Sequence, residues 1–402
     1  MEPATSFDPE VLALPFYDDS HRDLARAVGV WCDDNAPLWR GIREEDPDKA
    51  GLTLVRRLGE AGWLSFLDPA AGQAHPGDHR ALCLTREALA YAEDLADFAF
   101  SIQALSATPV IRFGSDAQKE AYLPRMASGE LVGAFAVSEE QAGSDVAAVE
   151  LRAERDEDGG YVLDGRKAWI ANGTIADVFV VVARTGGAPG ALGLTTFLVP
   201  RSTPGLEVLP LEPLAPRSFA HLSFTGCRVP ADAVLGRPGR GFVVAMDLLE
   251  RFRMTVGAAA LGFARRAADT ALARARTRRV AGGLLADQQL TKAVLADMEV
   301  SLDAAALLVA RAAWEADRGN RRFAHHSNIA KLHATEEAQR VVDSAVQLLG
   351  ASGLVRDSVT ERLYRQVRSL RVYEGTSEVL RLSIAGALDT RRADRAAADL
   401  TA

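Results

Sequence analysis

The spacing of apolar residues changes twice along this chain, and that change restricts the fold more than any single motif does. From Asp19 to about Leu131, apolar residues recur at helical spacing. From Gly133 to Gly236, short β-branched or aromatic segments alternate with Gly, Pro and Asp turns, which indicates strands. After Gly236 the helical spacing returns. Helices, strands and helices are therefore segregated, and this order argues against a doubly wound fold with alternating strands and helices.

Local signals place individual elements within these three regions. Ser115 and Gln118 have the spacing of a capping box and predict a helix start. Gly62 follows a helical repeat and predicts its end. That repeat consists of Leu54, Val55, Leu58 and Ala61. The clearest strand segments are 161–163, 178–183, 195–199 and 220–224. One apolar stripe along a long C-terminal helix is predicted from Leu290, Val294, Met298, Leu302 and Val309.

These regions predict an α+β multi-domain fold. We expect an N-terminal α-helical domain at 1–132, a middle β-barrel or β-sandwich domain at 133–236, and a C-terminal α-helical bundle at 237–402. The chain of 402 residues is long enough for such an arrangement. It has no GxGxxG after a strand and no GxxxxGK[ST], so a nucleotide cofactor would have to be held in another way.

Composition narrows the classes of partner. The net charge of -8 argues against a nucleic-acid surface, which requires clustered Lys and Arg. No run approaches eighteen apolar residues and the first residues lack a basic segment followed by an apolar one, so we expect no membrane span and a cytoplasmic location. Cys32, Cys83 and Cys227 lie far apart without metal-site spacing and are expected to be buried apolar residues.

Two other kinds of site find little support in the sequence. His325, His326 and His333 have no carboxylate or further ligand at a recognisable spacing, so we expect no metal site. Ser138 and Ser144 lack the strand-elbow context and the partner histidine of a serine hydrolase.

Three segments together identify a family resemblance. They are GAFAVSEEQAGSD (133–145), KAWIANG (167–173) and RVYEGTSE (371–378). In this order, and within an α–β–α layout, they resemble the acyl-CoA dehydrogenase family over about residues 114–388. The resemblance implies FAD, α,β-dehydrogenation of an acyl thioester, an electron-transferring flavoprotein as electron acceptor, and a homodimer or homotetramer.

The resemblance also implies which residues contact the flavin. The residues matching flavin contacts in the strand-rich region are Phe135, Val137, Ser138, Gly143, Ser144, Trp169 and Ala171. Ser144 also matches a contact to the pantetheine arm of the thioester. Trp169 matches an aromatic wall beside the flavin, which suits an indole because it offers flat apolar area. Read alone, the 133–145 segment is also ordinary turn chemistry.

The remaining cofactor positions match less completely. The residues matching contacts to the FAD phosphates, adenine or flavin are Arg279, Gln347, Gly350, Ala351, Thr376 and Glu378. Ala171 stands where the family commonly has Thr or Ser, Gly282 replaces an aromatic residue, and Ala351 replaces a glycine. FAD is still expected to bind. The departure at Ala171 bears on redox tuning more than on flavin binding, and weaker FAD binding is left open.

Glu374 is the candidate catalytic base. Removing a weakly acidic Cα proton requires a desolvated carboxylate and a polarised thioester carbonyl. Glu374 matches the family's base, and Gly375 beside it allows the substrate a close approach. Some relatives carry the base immediately before the arginine matching Arg253, but that position here is Phe252. A solvated glutamate that caps the last helix is the alternative interpretation.

Substrate contacts and two other functions complete the predictions. The candidate substrate-binding residues are Ser144, Glu250, Arg253, Tyr373 and Gly375. Glu250 is interpreted with Arg251 as a surface or substrate-mouth pair, and Arg253 as a charge that anchors the site. A purely structural ion pair is an equal alternative for each. The segment 67–77 departs from the family's Gly-Gly loop, which leaves a carrier-protein-bound acyl group open beside acyl-CoA. A flavin oxidase or monooxygenase on the same fold, and a non-catalytic binding protein, also remain open.

Overall fold

A computed structural model describes residues 7–43, 45–71 and 78–399, without the side chains of 71 and 389–399. The chain divides into two compact units. The helical unit comprises Met1–Ala36, Asp78–Asp94 and Glu250–Ala402, and the sheet unit comprises Pro37–Gly77 and Leu95–Leu249. The three-domain division expected from the sequence remains a prediction.

The helices and strands follow the predicted order along the chain. The described α-helices are α1 (Pro9–Ala13), α2 (Asp19–Asp34), α3 (Ala36–Ile42), α4 (Pro47–Glu60), α5 (His79–Ala92), α6 (Asp94–Phe113), α7 (Asp116–Ala127), α8 (Gly241–Thr277), α9 (Gln289–Asp317), α10 (Phe323–Leu349), α11 (Val359–Leu370) and α12 (Ser377–Asp399). The strands are β1 (Gly133–Ala136), β2 (Arg152–Arg155), β3 (Tyr161–Ala171), β4 (Val178–Arg184), β5 (Leu194–Pro200), β6 (Leu206–Leu211), β7 (Phe219–Val229), β8 (Val234–Leu235), β9 (Arg279–Val280) and β10 (Gly283–Leu284).

Several local predictions are confirmed by these elements. Ser115 caps α7 in a capping box with Gln118. The helical repeat before Gly62 forms α4, and Gly62 has a positive φ of 81°. All four predicted strand segments lie within β3, β4, β5 and β7. No helix among the described residues is long and apolar enough to cross a membrane.

The sheet unit is built on eight strands in the order β6-β7-β3-β2-β4-β5-β8, with β1 added parallel to β4. Its core consists of the inward side chains of these strands, such as Leu163, Phe179 and Phe197. Among the described residues, β6 and β8 do not pair, so the sheet stays open. The middle region is therefore sandwich-like and not a closed barrel.

In the helical unit, α9 packs on α10, and α10 also contacts α11 and α12. The predicted stripe on α9 is partly wrong. Met298, Leu302 and Val309 are buried, but Leu290 is 83% exposed. Leu290 precedes Met298 by eight residues and is rotated about 80° from it at 3.6 residues per turn. Thr291 takes the buried position instead.

Buried titratable side chains occur in both units. The Glu87 carboxylate on α5 is buried and accepts a hydrogen bond from Arg265 Nε at 2.9 Å. Burial raises the pKa of Glu87 to about 7, although Arg265 opposes the shift. The cysteines are free and buried, as predicted. Burial raises the thiol pKa of Cys32 to about 12 and also raises those of Cys83 and Cys227.

Candidate active site

The loop after β1 is fastened to β3 by a buried ion pair. Lys167 and Glu139 are both buried, and Lys167 Nζ lies 2.8 Å from Glu139 Oε1. Lys167 Nζ also donates to the Val137 carbonyl at 2.9 Å, and the Ala168 N–H donates to the Ser138 carbonyl at 2.9 Å. Glu139 further accepts the backbone N–H groups of 150 and 151. Val137 and Ser138 are thereby held directly beside the strand that carries Trp169.

Trp169 projects outward because the backbone is irregular at this point. The pairing of β3 with β7 shifts between Lys167 and Ile170, and Trp169 has a φ of 56°. A left-handed conformation is unusual for a bulky residue and costs roughly 1–3 kcal/mol. The indole remains 50% exposed, with its ring centroid 6.1 Å from that of His221. The sheet unit therefore presents a flat aromatic surface at a strained, fixed position.

Ala171 lies at the end of the same strand and pairs with Phe219 on β7. The Phe219 ring stacks on Phe98, with centroids 5.7 Å apart. The Arg217 guanidinium lies 4.8 Å from the Phe98 ring centroid. Sequence reasoning did not identify this aromatic cluster, because Phe98 is 121 positions away from Phe219 and no local pattern links them.

The other candidate flavin contacts of the sheet unit have different surroundings. Phe135 is buried within β1, whereas Gly143 and Ser144 are exposed. A Cβ added to Gly143 would meet nothing within 4 Å. These surroundings fit a flat aromatic ring such as a flavin. Its approach is not obstructed by the outward indole of Trp169, the small side chain of Ala171 or the open Gly143–Ser144 turn.

In the helical unit, Glu374 lies on a turn of two successive left-handed residues. Its φ is 54°, and that of Gly375 is 97°. Arg253 Nε donates to the Glu374 carbonyl at 3.2 Å, and Lys331 Nζ donates to the Gly375 carbonyl at 2.7 Å. Arg253 Nη1 also donates to Asn328 Oδ1 at 2.8 Å. Two buried cations from two helices therefore hold the backbone on which the candidate base sits.

The residues flanking this turn begin the last helix. The Val379 N–H donates to Thr376 Oγ1 at 3.3 Å, so Thr376 caps α12. Tyr373 is partly buried, whereas Glu378 in the first turn of α12 is exposed. Ser377 Oγ hydrogen-bonds the Glu336 carboxylate. The cap belongs to Thr376 rather than to Glu374, which weakens the alternative interpretation of Glu374 as a helix cap.

The candidate phosphate-binding residues lie on strand β9 and at or just after the end of α10. Strands β9 and β10 form a hairpin around Ala281 and Gly282, which have φ values of 48° and 86°. A two-residue turn of this kind favours glycine, which accounts physically for Gly282 where an aromatic residue was expected. The Arg278 guanidinium lies 3.5 Å from the position of a Cβ on Gly350, so the hairpin approaches the end of α10. Arg279, Gln347 and Ala351 are exposed.

Glu250 and Arg253 occupy different environments on α8. Arg253 is buried, and burial lowers its pKa while Glu374 and Glu250 oppose the shift. Glu250 is partly buried, and its carbonyl accepts the Ser327 hydroxyl at 2.7 Å. The unusual segment 67–77 lies for the most part outside the described residues, because 72–77 are not described.

Sequence reasoning missed the two buried lysines. Lys331 stands in an apolar helical stretch between Ala330 and Leu332, where a charge conflicts with its neighbours. That conflict is the one available signal, because buried lysines are rare and need partners. Lys167 begins the 167–173 segment, but nothing in the sequence indicated what its side chain contacts.

Comparison with known proteins agrees with this arrangement. The profiles described as acyl-CoA dehydrogenase N-terminal, middle and C-terminal domains match residues 18–130, 134–227 and 239–388. The human mitochondrial short-chain specific acyl-CoA dehydrogenase is 41% identical over 283 residues, which cover 70% of this chain and 68% of the relative.

Two solved structures show the same likeness in three dimensions. A chain in the structure described as "Electron transferring flavoprotein of Acidaminococcus fermentans: Towards a mechanism of flavin-based electron bifurcation" has a TM-score of 0.86 and 31% identity, covering 92% of this chain and 98% of that one. Glutaryl-CoA dehydrogenase from Mycobacterium smegmatis in complex with FADH2 has a TM-score of 0.84 and 30% identity, covering 96% and 97%.

The fold and these matches define a flavoprotein oxidoreductase that acts on CH–CH groups. The chain belongs to the acyl-CoA dehydrogenase family.

Proposed function

We propose that this protein catalyses FAD-dependent α,β-dehydrogenation of an acyl-CoA, with Glu374 as the base that removes the α-proton. One observation carries the assignment of the base: Glu374 occupies a left-handed backbone conformation that two buried cations hold in place. Such conformations persist only where the surrounding structure enforces them, and they concentrate at functional sites. A solvated surface glutamate would need no such support.

Candidate cofactor contacts occur in each unit taken by itself. In the sheet unit, Val137, Ser138 and Trp169 would hold the flavin ring. In the helical unit, Arg279 and the turn at Gly350 would hold phosphates. The remaining proposed cofactor contacts are Phe135, Gly143, Ser144, Ala171, Gln347, Ala351, Thr376 and Glu378. FAD, when bound, supplies the acceptor for the hydride that leaves Cβ.

The protein's own residues supply the proton chemistry. Glu374 takes the proton from Cα, and Arg253 and Lys331 are the buried cations whose charges interact with it. Tyr373 and Gly375 are proposed to contact the acyl thioester beside the base, with Ser144 and Glu250 as further contacts. We propose a short acyl group, because the human relative is described as short-chain specific.

The proposed partners are an electron acceptor, argued from one comparison, and further copies of this chain, argued from exposed side chains. Electron-transferring flavoprotein is the proposed acceptor, because a chain of similar fold occurs in a structure described by that name. A homodimer or homotetramer is supported by exposed side chains in the helical unit, including Arg279 and Gln347 among the phosphate contacts and Leu354 and Val355 beyond them. The cytoplasmic location remains a prediction.

Anaerobic stopped-flow mixing of the FAD-loaded protein with an acyl-CoA panel tests the proposal. Wild type should lose its flavin absorbance with at least one thioester. Glu374→Gln should bind FAD normally but react at least roughly 100-fold more slowly, because general-base catalysis contributes that much. Glu299→Gln, an exposed carboxylate on α9, is the matched control and should react like wild type.

Two outcomes of this experiment would contradict the proposal. Normal bleaching by Glu374→Gln would show that the base lies elsewhere. If air is then admitted and the reduced wild-type flavin reoxidises rapidly, an oxidase on the same fold is favoured, which the absence of a hydroxyl at Ala171 also suggests.

A further inference from the structure

Lysine is rare in this chain, and two of its lysines are buried in segments assigned to the active site. The sequence has five lysines against 41 arginines. Lys167 and Lys331 are both fully buried. Each donates a hydrogen bond to a backbone carbonyl in a segment assigned above to the active site. Arginine is the usual choice for buried charge, so lysine at these two sites calls for a specific explanation.

The turn that Lys331 contacts is strained. Glu374 and Gly375 both have positive φ, at 54° and 97°. Glycine adopts this region freely, but glutamate does not. Some other contact must therefore keep Glu374 in this conformation. The carbonyls of both residues are occupied, by Arg253 Nε at 3.2 Å and by Lys331 Nζ at 2.7 Å.

Both donors are rigidly supported. Arg253 is fixed on α8 by its hydrogen bond to Asn328 Oδ1 at 2.8 Å, and Asn328 Nδ2 donates to Ser383 Oγ at 2.9 Å. Lys331 lies one turn from Asn328 on α10 and is enclosed by helices. The guanidinium of Arg253 and the ammonium of Lys331 thus approach the turn from separate helices and contact successive carbonyls.

The charge of Lys331 also acts on the carboxylate. The charged groups that face Lys331 are Glu374, Arg253 on α8, Glu336 on α10 and Arg371 at the end of α11. Among these, Glu374 has the strongest electrostatic effect on Lys331, and it favours the protonated lysine. By reciprocity, the ammonium favours the ionised carboxylate, which is the form that can accept a proton.

We propose that Lys331 is a positioning residue, which together with Arg253 holds the Glu374–Gly375 turn in its left-handed conformation and keeps the Glu374 carboxylate ionised. The proposal rests on the function proposed above for Glu374. A compact ammonium suits this role because it reaches one carbonyl oxygen at close range, whereas a forked guanidinium would need more room.

The test compares Lys331→Met with Thr335→Val in the FAD-loaded protein. Methionine keeps the length of the side chain and removes the charge. We expect kcat to fall by roughly 10- to 100-fold, because small misplacement of a catalytic group has effects of that size. In the pH profile of kcat, the decrease on the acidic side (the low-pH limb) should shift to higher pH by about 1 unit, because a lost neighbouring cation raises a carboxyl pKa.

Thr335→Val is the matched control for disturbance of α10. Thr335 is buried one turn away, and its hydroxyl donates to the carbonyls of Lys331 at 2.8 Å and Leu332 at 3.5 Å on the same helix. This variant should lose stability but keep the low-pH limb in place. If Lys331→Met keeps both the kcat and the limb of wild type, or if Thr335→Val shifts the limb equally, the proposal is overturned.

Two further measurements keep the proposal testable if Lys331→Met folds poorly. Lys331→Gln retains a donor for the Gly375 carbonyl without charge, so it should shift the limb with a smaller loss of kcat. Wild type itself should lose kcat as pH rises through about 8, because burial lowers the pKa of Lys331 to about 8 and its charge is lost there. A wild-type profile that is flat to about pH 9.5 would contradict the role, since deprotonation would be nearly complete.

A crystal structure separates this proposal from the proposed function. Lys331→Met should move the Gly375 carbonyl and take Glu374 out of the positive φ region, whether or not any thioester reacts. An unchanged turn refutes the positioning role even in an active enzyme. A changed turn in a protein that no thioester reduces would refute the function and leave the structural role of Lys331 supported.

Discussion

The buried carboxylate of Glu87 should make the stability of this protein depend on pH in a defined direction. Its folded pKa of about 7 lies above the ordinary value of 4.5. The folded protein therefore binds more protons than the unfolded chain between these values, and the stabilising contribution is lost as pH rises through 7. A shift of about 2.5 units corresponds to about 3 kcal/mol over the whole range.

Glu87→Gln removes this titration and keeps the shape of the side chain. Between pH 5 and pH 8 the variant should gain about 2.5 kcal/mol in unfolding free energy relative to wild type, because most of the titration falls in that window. The difference is expected to be flat above about pH 8, where Glu87 is ionised in both the folded and the unfolded wild type.

Urea unfolding followed by circular dichroism at pH 5, 6, 7 and 8 measures this difference. Glu299→Gln, an exposed carboxylate in the same unit, should show no such trend. The reasoning fails if the difference between Glu87→Gln and wild type stays constant with pH, or if it changes in the opposite direction. Arg265 contributes through the ion pair at 2.9 Å, and its opposing effect is already contained in the net shift.

Two further predictions concern the proposed flavin contacts of the sheet unit. Lys167→Met should lower the unfolding free energy by about 3 kcal/mol and weaken FAD binding, because it leaves Glu139 buried without its cation and frees the Val137 carbonyl. Urea unfolding and FAD titration measure both effects, the exposed Lys49→Met is the control, and full wild-type stability would contradict the idea. Ala171→Thr should tighten FAD binding by roughly 3- to 10-fold in a fluorescence titration, because one added hydrogen bond contributes about 0.5–1.5 kcal/mol. An unchanged or weaker affinity in a stable Ala171→Thr variant would show that no flavin atom lies within reach.

Much of the fold could be predicted because helical and strand spacing are local properties of the sequence. The capping box at Ser115 and the strand segments were identified from neighbours within a few residues. The error at Leu290 arose because its apolar type was given more weight than its position, which lies about 80° around the helix axis from Met298. Polar Thr291 occupies the buried side instead. The helical unit gathers three separate stretches of chain, and such long-range pairing leaves no periodic trace.

The candidate site was predicted less completely. The motif containing Glu374 indicated a loop with a flexible glycine, but nothing local indicated that Glu374 itself has a positive φ. The cations that support this turn come from residues 121 and 43 positions away, at Arg253 and Lys331. A buried charge is recognisable only when the elements that enclose it are known, so the sequence could not assign Lys331 a role.

The enclosed thiols of this protein have a practical consequence for its chemistry. Hydrolysis of thioesters releases coenzyme A, and disulfides of coenzyme A exchange with accessible protein thiolates. Cys32, Cys83 and Cys227 are enclosed and stay protonated at neutral pH, so the native protein should resist such adducts. Reaction with a coloured thiol reagent would then count opened molecules, and its rate would follow unfolding during storage or turnover.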